Sequence, residues 1–191
     1  MDRALARPEK KAEAAGWTIV WVDETGVYLL PTLVATWAPR GQTPVLTAPL
    51  SKEHLSAIGA ITAEGRVLCR VVEDRALTGV DAVRFLRHLL QHLPGKLLVI
   101  WDGASIHHGE AVKTFLRAGG AQRLHLERLP GYAPDLNPAE GLWRLVKRRE
   151  LKNLVCDALW EVRLEFRQAL ARLRHSPDLI RACIAHAGYS L

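Results

Sequence analysis

Two apolar runs, each closed by an aspartate, constrain this chain most. Trp17 to Val22 leads into Asp23, and Leu97 to Trp101 leads into Asp102. The second run contains no polar residue, as a strand requires when helices cover both faces of its sheet. A strand of that kind points to an α/β architecture, in which ligands collect beyond the carboxyl ends of the strands. One aspartate after a strand ordinarily starts a turn or caps a helix. Two of them after neighbouring parallel strands would meet.

A third carboxylate enters from a helix. Asn137 reads as an N-cap, Pro138 as the first helical residue and Glu140 as the third. That position is also the capping-box glutamate, which could bond back to the Asn137 backbone. The stiff stretch from Pro130 to Pro134 would hold the helix start at a fixed place, and Asp135 is the competing carboxylate on spacing alone. Converging carboxylates suit a pair of hard divalent cations, and such a pair cuts and joins phosphodiesters.

The pattern between these residues alternates strand and helix. Trp17–Asp23 reads as the first strand, with a turn at Glu24, Thr25 and Gly26 and a return strand over Val27–Leu30. Two prolines and a glycine make 36–44 a loop. His54–Thr62 and Arg66–Glu73 form a hairpin around Gly65. Thr78 caps a helix with Val80, Val83, Leu86, Leu90 and Leu93 at helical spacing, stopped by Pro94 and Gly95. Then come the Leu97–Trp101 strand, a helix near Glu110–Ala118, a strand over Arg123–Leu129, the helix opened by Asn137 and a long amphipathic helix over Asp157–Arg174. Residues 1–15 read as a short helix or a linker.

Charge indicates a polyanionic partner. Of the formal net charge of +6, the stretch Gly141–Arg174 supplies most, with nine Lys/Arg against four Asp/Glu. Arg144, Lys147, Arg148, Arg149 and Lys152 follow Glu140 closely and would lay a phosphate backbone across the carboxylates. Trp143 among them is expected in the core. His107 is expected to contact phosphate or water, because hard cations prefer oxygen ligands. His88 and His92 have zinc-motif spacing but lack the intervening glutamate, and are expected at the surface. Three scattered cysteines suggest neither a disulfide framework nor a zinc site. No apolar run reaches the roughly 18 residues of a membrane span, and the N-terminus shows no secretory signal. Signatures of serine hydrolases, P-loop enzymes and dinucleotide binders are missing.

Four stretches in order, Val22–Gly26, Thr36–Pro44, Trp101–His108 and Leu129–Trp143, resemble the catalytic core of a bacterial insertion-sequence transposase related to mariner, the insertion sequence 630 family. The resemblance runs from about Trp17 to the end. It implies a ribonuclease H-like fold over residues 16–191, a mixed central sheet flanked by helices, with Asp23, Asp102 and Glu140 as a DDE triad. Asp23 would bridge two Mg²⁺ ions, replaceable by Mn²⁺, with Asp102 completing one site and Glu140 the other. The site would hydrolyse transposon ends and join them to target DNA, with TA preferred. It further implies a homodimer on double-stranded DNA, a cytoplasmic, nucleoid-associated location, and a helix-turn-helix module supplied upstream or from a separate reading frame. A truncated copy is the other expectation for a chain beginning so near the core. Two readings compete: a catalytically decayed DNA-binding or assembly module, and another ribonuclease H-like nuclease.

Overall fold

A computed structural model of the chain describes residue 12 and residues 14–131 and 133–190; most of the proposed N-terminal linker lies outside them. Five strands form one mixed sheet: β1 (Thr18–Tyr28), β2 (His54–Thr62), β3 (Val67–Glu73), β4 (Leu97–Trp101) and β5 (Leu124–Arg128). Their order is β3-β2-β1-β4-β5. The first three are antiparallel neighbours, and β4 and β5 continue parallel to β1. Helices α1 (Gly79–His92), α2 (Ser105–His108) and α3 (Glu110–Arg117) follow the hairpin and β4. After β5 come α4 (Pro138–Leu145), a wider turn at Val146–Glu150, α5 (Leu159–Arg174) and α6 (Pro177–His186). The α/β architecture is the one expected.

Strand alternation divides the core in two. Ile19 and Trp21 of β1 and Leu98 and Ile100 of β4 pack with α4, α5 and α6 through Leu142, Trp143, Phe166, Leu170 and Ile184. Val20, Val22 and Val99 face the other way, onto Phe85, Leu86 and Leu89 of α1 and Val112 of α3. Side chains repeat every second residue along a strand. Asp23 therefore belongs to the face of Ile19 and Trp21, and Asp102, just past the end of β4, continues that of Leu98 and Ile100. Both carboxylates fall on the side covered by α4.

Several local expectations are corrected. Glu24, Thr25 and Gly26 make no turn, and Val27 does not begin a return strand. β1 runs unbroken to Tyr28 because β2 pairs with its whole second half, from Asp23↔Gly59 to Tyr28↔His54. Eleven residues of pairing outweigh a local turn signal. The buried stripe of α1 is shifted: Phe85 and Leu89 are core residues, while Val80 is 52% exposed. Thr78 caps α1 as expected and closes its capping box with Asp81. Helix α6 had no counterpart in the sequence reading.

Trp143 is buried as expected, and its place depends on a glycine. Gly59 sits opposite Asp23 in the β1–β2 ladder, and a Cβ there would overlap the Trp143 indole. The missing side chain lets α4 approach the sheet beside Asp23. Gly59→Ala should destabilise the fold by about 1–3 kcal/mol, because a buried indole has little room to move. A denaturant titration would test this; an unchanged midpoint would mean that the helix seats without the glycine.

Candidate active site

Parallel pairing brings the two aspartates together. Trp21 is in register with Ile100, the last pair of the ladder, and Asp23 and Asp102 each lie two residues beyond it and line one cavity. Adjacent strands lie about 4.8 Å apart. Asp23 is only 8% exposed, and its Oδ2 has no hydrogen-bond partner among the described residues. Burial, followed by the charges of Glu140, Glu24 and Asp102, pushes its carboxyl up to about 8. A buried carboxylate left in this state is costly unless a cation or proton accompanies it.

Glu140 reaches the same place from α4. Asn137 secures the helix start: its Oδ1 accepts from the Ala139 N–H at 3.1 Å, and its Nδ2 donates to the Val22 carbonyl at 3.1 Å. One side chain thus ties α4 to the β1 residue preceding Asp23. The capping box weighed above does not close. The Asn137 N–H donates to the Pro134 carbonyl at 2.8 Å instead, so the Glu140 carboxylate remains free of the cap. Asp23, Asp102 and Glu140 line one cavity of about 410 Å³. Asp135 does not line it.

A histidine braces this site from beneath. His107 is buried, and its ring stacks on Trp101 at 4.1 Å with planes 3° apart. Its Nδ1 lies 2.9 Å from Asp102 Oδ1 and its Nε2 lies 2.8 Å from Glu24 Oε1. Nδ1 donates to the Asp102 backbone carbonyl at 3.1 Å and Nε2 to the Glu24 carboxylate, so both ring nitrogens donate. Burial alone would lower the imidazole's pKa, but the Glu24 hydrogen bond and charge, with Asp102, raise it. Asp102 Oδ1 also accepts from the Ala104 N–H at 2.9 Å. This environment replaces the expected contact of His107 with phosphate or water. Glu24, Asp102 and His107 offer ligand atoms within 4.8 Å of one another, so they are also a candidate metal cluster.

The basic residues divide into two groups. Arg144, Lys147 and Arg148 line a neighbouring cleft of about 830 Å³ that also includes Glu140, Asp135 and Thr25. Arg149 pairs with Glu150 at 3.6 Å, and Lys152 bridges to Thr32; neither lines the cleft. The expected cationic helix continues past Leu145 with a change of pitch, Lys147, Arg148 and Arg149 lying on the π-helical turn Val146–Glu150. Half-buried Lys147 has its ammonium pKa lowered by burial, against the opposing pull of Glu140 and Asp23. His88 and His92 lie on α1, half-buried and exposed, with rings 4.1 Å apart.

The family model described as "DDE superfamily endonuclease" matches residues 18–159, which include all three carboxylates. The chain belongs to the DDE superfamily endonucleases. Among curated proteins none matches. Solved structures similar to this DDE domain include a Mos1 strand transfer complex, 19% identical with a TM-score of 0.61, covering 91% of this chain and 55% of that one. A pre-cleavage Mos1 transpososome is 16% identical with a TM-score of 0.62, covering 95% and 60%. The catalytic domain of Mos1 mariner transposase is 14% identical with a TM-score of 0.56, covering 96% and 89%. The chain thus spans little more than half of the longer Mos1 chains, and the likeness supports the expected ribonuclease H-like fold. Among the described residues no helix is long and apolar enough to cross a membrane.

Glu24 and Arg128 are site residues that the sequence reading missed. Glu24 follows Asp23 directly, in a stretch whose local chemistry predicts a turn. Arg128, at the end of β5, lines the 410 Å³ cavity.

Proposed function

We propose that this DDE domain is the catalytic core of a DNA transposase, hydrolysing phosphodiesters at transposon ends and joining the freed 3′-hydroxyls to target DNA. The observation carrying this reading is the buried, unpartnered Asp23 Oδ2 in a cavity shared with Asp102 and Glu140. An all-oxygen donor set of this charge fits Mg²⁺ or Mn²⁺. Asp23 would serve both ions, with Asp102 and Glu140 each completing one site. Two such ions would supply Lewis acidity to the attacking and departing oxygens of the phosphodiester.

The protein's own groups do the rest. Arg144, Lys147 and Arg148 bind the backbone in the adjoining cleft, and Glu140, common to both cavities, marks where a strand passes to the carboxylates. Asn137 and His107 hold two of those carboxylates in place. The Mos1 structures described as paired-end and strand transfer complexes favour double-stranded DNA as substrate. The reading extends to a homodimer on that DNA.

Asp102→Asn should abolish Mn²⁺-dependent plasmid nicking, by a factor of at least about 10³, with the circular dichroism spectrum unchanged. Full nicking in that variant would overturn the assignment of Asp102, and a wild type that binds DNA without nicking it would leave the decayed DNA-binding module as the better reading. Cleavage without joining of 3′-hydroxyl ends would favour another ribonuclease H-like nuclease.

A further inference from the structure

We propose that Arg128 and Gly103 form a phosphate subsite on the rim of the carboxylate cavity, gripping the non-bridging oxygens of a DNA phosphodiester. The proposal rests on the phosphodiester reading above and adds to it the residue that takes the substrate's own charge. Arg128 ends β5 and pairs with Trp101 at the end of β4, and Gly103 lies two residues beyond Trp101. Both line the cavity of Asp23, Asp102 and Glu140.

Gly103 shows how closely the guanidinium is seated. A Cβ at this position would overlap Nη2, Nε and Cζ of Arg128. Its backbone does not demand glycine, because Gly103 is not among the residues with positive φ. Space for the guanidinium is the reason for glycine here. Other arginines in the fold spend their donors internally: Arg75 forks onto Asp81, and Arg123 reaches the carbonyls of Gly95, Leu90 and Leu93. The Arg128 guanidinium makes no hydrogen bond or ion pair with any described residue, although it borders a cavity of three carboxylates.

A guanidinium stays charged at any relevant pH and presents a planar fork that matches two oxygens of a phosphate. Divalent ions would neutralise the carboxylates, leaving the fork to a second anion, and a phosphodiester brings one negative charge per nucleotide. The competing role, a counter-charge that merely offsets the carboxylates, makes the opposite prediction for metal binding. In that case removing Arg128 would tighten Mn²⁺.

Arg128→Gln, Arg128→Lys and Gly103→Ala in the 191-residue chain distinguish these roles. Gly103→Ala displaces only the far end of a flexible side chain, so the fold is retained. The measurements are Mn²⁺ affinity, the salt dependence of binding to a short duplex, and Mn²⁺-dependent plasmid nicking. Arg128→Gln should reduce the slope of log Kd against log salt by about 0.9, the value of one phosphate contact. It should slow nicking by about 10–100-fold, with Mn²⁺ affinity unchanged. Lysine should restore the slope but not the rate, since it supplies charge without the fork, and Gly103→Ala should slow nicking to an intermediate degree. A wild-type slope and rate in Arg128→Gln would overturn the subsite, as would tighter Mn²⁺ binding. If wild-type protein neither binds the duplex nor nicks DNA, the phosphodiester reading itself fails and the subsite fails with it.

Discussion

Asp23→Asn is expected to abolish metal-dependent strand cleavage and yet make the metal-free protein more stable. The two effects have one cause. Asp23 is buried, one of its oxygens has no partner, and Glu140, Glu24 and Asp102 all repel its charge. Its carboxyl stands at about 8 against an ordinary 3.8, so the folded state holds a proton that the unfolded chain has released. Stability therefore falls as pH rises from near 4 to near 8, by up to about 6 kcal/mol. His107 works in the same direction: its raised pKa gives a contribution present below 6.5 and lost as pH rises through the raised value. Asparagine keeps the shape and removes the charge. Thermal melts at pH 5 and pH 8, with and without Mg²⁺, would check this. At pH 8 the variant should melt at least about 5 °C above the metal-free wild type, and Mg²⁺ should raise only the wild type. A wild-type melting temperature indifferent to both pH and Mg²⁺ would show that Asp23 carries no such burden.

His107→Ala should be nearly as damaging, though His107 does not belong to the proposed triad. The imidazole donates to the Asp102 backbone carbonyl on one side, 2.9 Å from that residue's carboxylate, and to Glu24 on the other, and stacks on Trp101. Removing it leaves the side chain of Asp102, 52% exposed, held on Oδ1 only by the Ala104 N–H. Two carboxylates would then face each other with no cation between them. Loss of such an orienting partner typically costs about 10–100-fold in metal affinity, and cleavage should fall at least as far. Mn²⁺ titration beside a melting curve separates bracing from packing. A destabilised variant with wild-type Mn²⁺ affinity would reduce His107 to a core residue.

What the sequence made legible follows from how local each signal is. The apolar runs before Asp23 and Asp102 announce central strands without any knowledge of their partners. Thr78 and Asn137 announce helix starts within four residues. The continuity of β1 was hidden because Glu24, Thr25 and Gly26 carry turn chemistry, and only β2, some thirty residues later, holds them extended. The same misreading concealed Glu24, whose partner His107 lies 83 positions away. Arg128 looked like any charge at the end of a strand. Its closeness to Gly103 comes from the β4–β5 pairing, which no spacing reveals.

The parallel pairing of β1 with β4 has a consequence for the life of the chain. Asp23 and Asp102 become neighbours only after the crossover through β2, β3 and α1 has closed, and Glu140 joins only when α4 docks. Contacts of such long range form late in folding. An unfinished chain emerging from the ribosome therefore lacks the three-carboxylate cavity until α4 has been made and has docked.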